Sequence, residues 1–426
     1  MSGLPRLMIL GGGSSQLRAI SIARDLGFFV ICADRDRACP GRTLADEFAE
    51  VSTFDREGVL RGARRHAVDA IYAIGSDQPI LTAAWVSEQL GLPYPLSAAA
   101  ASAVTNKRIM KKRLADAGIA TARWRLLSDD PASWEREGLG ELTPPWVAKP
   151  VDSQGQRGVA RIETEGQLRR HLPTVRSFSR EPVMLVEEYY PSTEVTVSGW
   201  VHAGDVEIWT ITDRVTIQSE SSLGVCSAHR FPSMHSPEND DEITAITRSV
   251  VAAFELDNAP IYFQMLLGAR GVLVNEIASR LGGAYEDQSI PLVTGIDILR
   301  LSVGEVLSAV KAPYTHAGRL PVRGTPSARV FSVPLLFANP GVVTRYEGFE
   351  EMRARPGVVA CTPLLPVGTE ILPMQNSTQR IAYAVLAGSD RAAANRLVDT
   401  LFDTIQILDR DGTNMLLDTR EDCRVR

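Results

Sequence analysis

Trp146-Val147-Ala148-Lys149-Pro150-Val151-Asp152-Ser153-Gln154-Gly155-Gln156-Arg157-Gly158 is the stretch on which the fold turns. Trp146–Lys149 has the apolar run of a strand, and the loop after it is rich in small residues. A lysine that closes an apolar strand keeps its stem in the core and aims its ammonium at one point. Ser153, Gly155 and Gly158 let backbone approach phosphate oxygens closely, and such loops are flexible enough to act as lids. Alone, Lys149 reads as a surface lysine and the loop as a plain hairpin turn. The neighbouring sequence decides between the two.

Upstream, Thr105-Asn106-Lys107 opens a basic amphipathic helix that Gly118 closes, so Lys107 is a second cation placed by its neighbours. Downstream, Val183–Glu187, Glu194–Trp200 and Glu207–Ile211 alternate or run apolar, which predicts an antiparallel sheet. The first of these breaks into Glu187-Glu188-Tyr189-Tyr190, whose backbone groups suit an adenine edge. Glu194 suits two ribose hydroxyls, although exposed glutamates at strand ends are common. A long loop is expected over Ser219–Asn239, carrying His229 and Arg230, before a helix near Glu242–Phe254. Gln264 and Glu276 fall on two apolar strands joined by the turn Leu267–Gly271. That hairpin brings two oxygen ligands together, as Mg²⁺ held partly by nucleotide phosphates requires. Asn275–Gly283 then supplies a carboxylate, the guanidinium of Arg280 and the pair Gly282-Gly283. An ordinary ion pair between Glu276 and Arg280 is the alternative.

The first hundred residues alternate strands and helices: Arg6–Leu10, a helix to Leu26 stopped by Gly27, Phe28–Ala33, then Ala70–Ile74. This is a βαβ pattern and predicts a parallel sheet. Gly11-Gly12-Gly13 between strand and helix suits an anion. A dinucleotide fingerprint lacks its third glycine there, the position being Gln16, while Asp34 stands where a ribose-binding acid would. Pro93–Ala103 reads as a domain boundary and Pro313–Arg323 as a second linker. Beyond that linker, Ala328–Ala338, Thr369–Pro373 and Arg380–Ala387 read as strands and Ala392–Ile405 as a helix.

The 426 residues predict two or three domains. A net charge of −6 disfavours a nucleic-acid-coating protein. No apolar run reaches the roughly 18–20 residues of a membrane helix, and the N-terminus lacks the features of a signal peptide. Five cysteines without CxxC spacing suit reduced thiols in the cytoplasm.

Taken in order, these residues resemble the ATP-grasp superfamily, and within it the branch of biotin carboxylase, the purine-pathway carboxylase and formate ligase, and L-amino-acid ligases. The resemblance covers nearly the whole chain. It implies an α/β and α+β architecture of three lobes: a parallel βαβ pre-ATP-grasp domain at 1–98, an ATP-grasp domain with antiparallel sheets at 99–318 and an α+β C-terminal lobe at 319–426. Asn106-Lys107 and Met110-Lys111 resemble the family's first nucleotide lysine, and Val147–Pro150 its second. Ser153–Val159 resembles its glycine-rich lid, Val186–Tyr190 its adenine hinge and Glu194 its ribose acid. Gln264 and Glu276 fall at its metal positions and Arg280 at its catalytic arginine. Pro340–Val342, Pro356–Val358 and Arg380 resemble the third lobe of amino-acid ligases. Two departures stand out: the first metal position is glutamine rather than glutamate, and Ala278 replaces a frequent asparagine.

The resemblance implies ATP and Mg²⁺ as cofactors and small carboxylate and amine substrates, with no nucleic acid and no membrane, and it allows a homodimer. A carboxylate would attack the γ-phosphate of ATP to give an acyl-phosphate, and an amine would then displace phosphate. Lys107 and Lys149 would hold α/β-phosphate oxygens, with Ser153, Gln154, Gly155 and Gly158 closing over them. Glu276 and Gln264 would hold Mg²⁺, Arg280 would neutralise developing charge, and Gly282 and Gly283 would admit the acyl oxygen. His229 and Arg230 are candidates for the substrate carboxylate or a general base. Two alternatives stay open: a purine-type ribonucleotide carboxylase or formate ligase, and an ATP-binding protein of weakened catalysis.

Overall fold

A computed structural model describes residues 3–134, 138–219, 222–235, 238–311 and 329–426. The expected linker Pro313–Arg323 lies outside the described residues. Strands β1 (Arg6–Leu10), β2 (Phe29–Asp34), β3 (Glu47–Glu50) and β4 (Ala70–Ala73) form a parallel sheet in the order β3-β2-β1-β4. Leu7–Leu10 and Val30–Ala33 are fully buried, as a sheet covered on both faces requires. Helix α1 (Leu17–Asp25) ends where expected: Gly27, at φ +92°, returns its N–H to the Arg24 carbonyl. The Gly11–Gly13 turn already holds an anion of its own, since the Gly12 N–H donates to Asp34 Oδ2 at 2.8 Å.

Helix α2 (Arg56–Arg65) and helix α3 (Asp77–Leu90) complete this layer. The Pro/Ala/Ser-rich stretch after them ends in helix α4 (Ala98–Thr105), capped by Ser97. Helix α5 (Lys107–Asp116) is capped by Asn106, whose side chain accepts from the N–H groups of Arg108 and Ile109. β5 (Trp124–Ser128), β6 (Trp146–Pro150), β7 (Ala160–Ile162) and β8 (Val183–Glu188) build a four-stranded antiparallel sheet, backed by α6 (Glu165–Phe178).

β9 (Ser192–His202), β10 (Asp205–Ser219), β11 (Ser222–Phe231), β12 (Ala259–Gly268), β13 (Gly271–Ala278) and β14 (Val330–Leu336) lie in one antiparallel sheet of eight strands. Helix α7 (Asp240–Ala253) packs on it through Ile243, Val250 and Val251. Its last two strands are Ala382–Gly388 and Val358–Pro363, so one sheet runs from the hairpin β12–β13 into the C-terminal lobe. Helix Arg391–Thr404 covers that end, and Thr369–Pro373 shrinks to the two-residue strand Glu370–Ile371.

The long loop expected over Ser219–Asn239 is corrected: Ser222–Phe231 is strand β11, paired to β10 and β14. Its alternation was hidden because polar side chains point into the protein and find partners there. Ser227 Oγ donates to the Val215 carbonyl, His229 meets Thr212 and Arg230 pairs with Asp213. Buried polar groups are tolerated when so satisfied, and they erase the apolar period that identifies a strand.

Candidate active site

Where β6 and β8 end beside β9, β10, β12 and β13, a cleft of about 750 Å³ opens. Lys149, the hinge Glu187–Tyr190, Glu194, Asn275, Glu276 and the loop residue Gln156 all line it. The sequence-predicted lysine, hinge, ribose acid and metal glutamate therefore come together. Val147, Val159 and Leu266 add apolar surface suited to a flat ring.

Beneath the cleft lies a buried triad. Glu187 ion-pairs with Lys149 through one oxygen and with Lys111 through the other; the three side chains are 4%, 5% and 1% exposed. Burial pushes the Glu187 carboxyl up, but the two ammoniums outweigh it and hold it below its usual value. Burial likewise drives both lysines down. For Lys149, Glu187 and Glu276 reverse the shift, whereas Lys111 stays lowered. Lys111, one helical turn after Lys107 on α5, is thus the lysine that stands with Lys149. Lys107 faces elsewhere: its Nζ donates to the Ser153 carbonyl at 2.7 Å and pairs with Glu276 Oε1 at 3.3 Å.

The hinge is more occupied than its sequence suggests. The N–H groups of Glu188 and Tyr189 donate to the carbonyls of Arg123 and Pro145. The Glu188 carboxylate accepts from Thr143, and Tyr190 Oη bridges the Gly271 carbonyl and the Arg270 N–H. Glu194 pairs with buried Arg214 at 2.5 Å, a residue of β10 that lies beyond the strand expected at Glu207–Ile211.

The small-residue loop spans three lobes. Gln154 Oε1 accepts from the Asp77 N–H at 2.6 Å, the Gly155 carbonyl accepts from Ser377 N–H, and Gln156 Oε1 accepts from Ser377 Oγ. Gly158 has φ +73°, and a Cβ there would stand 2.9 Å from Pro150, so both conformation and space demand glycine.

A second, smaller cavity shares Glu276 with the first and is lined by Asp77, Lys107, Tyr262, Gln264 and Arg280. Gln264 and Glu276 are cross-strand partners on β12 and β13. Burial raises the Glu276 carboxyl, yet Lys107 and Lys149 hold it at about 2. Gln264 Oε1 is buried without a hydrogen-bond partner. An orphaned oxygen beside a carboxylate fits a hard cation. Among the described residues no cluster of three or more His, Cys, Asp or Glu side chains could hold a metal ion, so the protein would supply only part of such a shell.

Arg280 does not pair with Glu276. Its Nε donates to Asp77 Oδ1 at 2.5 Å, across the boundary with the N-terminal layer, and its guanidinium lies 5.4 Å from the centre of the Tyr262 ring. Gly282 and Gly283 follow, but the Gly282 N–H is taken by Glu286 Oε2 at 2.6 Å. His229 is buried, and burial followed by Arg214 and Arg380 pushes its imidazole down to about 3, so it is neutral near pH 7. Arg230 turns to Asp213 and the Arg424 carbonyl and lines neither cavity.

Residues 334–408 match the family described as L-amino acid ligase C-terminal domain 2. A formate-dependent phosphoribosylglycinamide formyltransferase of Chlorobium phaeobacteroides is 25% identical over 45% of this chain and 50% of its own. A D-alanine–D-alanine ligase of Synechococcus is 34% identical over 45% of this chain and 57% of its own. The chain thus spans about half the length of these relatives. Among solved structures, the L-amino acid ligase of Bacillus licheniformis superposes with a TM-score of 0.77 at 17% identity, covering 96% of this chain and 100% of that one. The phosphoribosylglycinamide synthetase of Anaerococcus prevotii gives 0.72 at 18% identity, covering 95% and 100%. Together with the order of sheets and the lysine–glutamate cleft, these likenesses indicate the ATP-grasp superfamily.

Proposed function

We propose that the protein is an ATP-dependent ligase joining a small amino or organic acid to an amine, with release of ADP and phosphate. The observation that carries this is the shared wall at Glu276. On one side is a cleft with the apolar surface, lysine and acid that a nucleotide needs, and on the other a cavity holding Arg280 and the orphaned oxygen of Gln264. A γ-phosphoryl group reaching from the first into the second would meet the guanidinium there. The substrate carboxylate oxygen attacks phosphorus and the bond to the ADP oxygen breaks; the amine nitrogen then attacks the acyl carbon, the C–O bond to phosphate breaks, and the amide forms with loss of the amine's proton and release of phosphate. Catalysis of the first step is positioning plus charge neutralisation. Lys149, on the cleft wall, binds phosphate oxygens with Lys111 behind it sharing Glu187, Glu194 orients the ribose, and Asp77 aims Arg280. Glu276 and Gln264 would hold Mg²⁺, which supplies positive charge to the phosphates when bound. His229, neutral in its buried setting and paired with Thr212, lines neither cavity and, like Arg230, takes no part in this reading.

The test is ADP release across pairs of amino or organic acids and amines, with aminoimidazole ribonucleotide as a separate arm. Release that requires both an acid and an amine supports the ligase. Release only with the ribonucleotide would replace it by the purine-type reaction, and nucleotide binding without turnover in any arm would leave a binding protein.

The cation reading makes its own prediction. Glu276→Gln should lose most Mg²⁺-dependent turnover, because it removes the only charged oxygen of the pair. Gln264→Glu should lower the Mg²⁺ concentration needed for half-maximal rate, since it adds a carboxylate to a hard-cation site. Rates measured against Mg²⁺ concentration, with Mn²⁺ binding followed by electron paramagnetic resonance, check both; normal activity of Glu276→Gln at limiting Mg²⁺ removes the assignment.

A further inference from the structure

The turn after β13 contains a buried carboxyl that the chemistry above leaves unused. Glu286 opens helix α8 (Glu286–Thr294) and is 6% exposed. One oxygen accepts from the Gly282 N–H at 2.6 Å, and the other lies hard against Ser198 Oγ on β9. Tyr262 of β12 closes the other side. A Cβ on Gly282 would stand 2.5 Å from the Tyr262 ring and 2.6 Å from Glu286 Oε2, so no side chain fits. Arg280 acts on Glu286 electrostatically but is committed to Asp77, and Asp287 also acts on Glu286. Of the two glycine N–H groups, only that of Gly283 lacks a protein partner among the described residues, while its carbonyl is held by Arg380 at 3.2 Å.

We propose that Glu286 is a positioning residue: by tying the Gly282 N–H to the floor of the central sheet, it fixes Arg280 and the unpaired Gly283 N–H as one preset pair of donors for the transferred phosphoryl group and its acyl oxygen. The proposal rests on the ligase reading. A turn with two successive glycines samples many backbone conformations, and donors lower a barrier only when they need no reorganisation at the moment of reaction. A tie between the two donors removes that freedom at its source. Burial also pushes the Glu286 carboxyl up to about 7. Glutamine, neutral and of the same shape, can keep both hydrogen bonds, whereas alanine keeps neither.

The experiment compares binding of MgADP alone with binding of MgADP plus aluminium fluoride, which mimics the phosphoryl group in transit and requires no knowledge of the substrates. In the wild type, fluoride should tighten binding about 10²-fold or more, on the scale of transition-state analogues. Glu286→Ala should bind MgADP within about threefold of wild type yet lose most of the fluoride gain, as expected for loss of a fixed donor. Glu286→Gln should keep both. Should the alanine variant fail to fold, Ser198→Ala, which releases the other end of the tie, carries the same comparison. A full fluoride gain in Glu286→Ala, or in Ser198→Ala where that stands in, overturns the proposal. So does equal loss of MgADP affinity and melting temperature in the alanine and glutamine variants, which marks a purely structural carboxyl. A wild type that binds no MgADP overturns the nucleotide reading itself, an outcome distinct from either.

Discussion

Arg280→Lys is expected to bind ATP within a few-fold of wild type and to release ADP about 10²–10³-fold more slowly, the scale of losing one fixed transition-state donor. The reason is geometric. Asp77 takes the Nε face of the guanidinium at 2.5 Å, and Nη1 is turned to the Leu281 carbonyl, so the planar group is oriented by two partners. Lysine can pair with Asp77 but cannot do so and present further donors in the same plane. The loss should therefore fall on kcat. Asp77→Asn, which keeps a hydrogen bond to Arg280 and removes the charge, should lie between wild type and Arg280→Lys. Melting temperature, ATP-analogue affinity and ADP-release rate on one preparation of each variant decide the matter. Wild-type turnover in Arg280→Lys, or affinity and melting temperature falling together, would refute the catalytic role.

Glu187→Leu should be strongly destabilising, by roughly 3–5 kcal/mol, the cost of leaving buried charge without its partner. It would strand Lys111 and Lys149 side by side, 1% and 5% exposed. Both lysines would then have folded-state pKa values below their unfolded ones. The unfolded chain would bind more protons, so the deficit should shrink as pH rises from neutral toward the ordinary lysine range. Lys111→Met and Lys149→Met added to Glu187→Leu should recover much of the stability, because a packed apolar cluster of similar volume replaces a buried ion group at little cost. That triple variant should remain unable to bind ATP. Thermal unfolding across pH, with titration of a non-hydrolysable ATP analogue, separates the two effects; a single-variant loss below about 1 kcal/mol would contradict a buried triad.

The parts of this molecule that could be read from the chain are those whose signal is local. Arg6–Leu10 and Trp146–Lys149 announce buried strands by unbroken apolar runs, Asn106 and Gly27 mark helix ends by backbone chemistry, and Gln264 and Glu276 face each other because one short turn sets their register. The succession of such pieces was enough to point to the superfamily that the comparisons also indicate. The partners of the charged groups were another matter. Arg280 pairs with Asp77, 203 residues away; Gln156 is held by Ser377; and Glu187 gathers two lysines from separate elements. Strand β11 was hidden by polar residues whose partners lie on β10 and in the C-terminal segment. An ion pair or a buried hydrogen bond leaves no period in the sequence, because its energy depends on distance and desolvation once the lobes have met. Residue types and local elements are written along the chain, but which carboxylate neutralises which cation, and hence which of Lys107 and Lys111 stands beside Lys149, is settled only when the sheets pack.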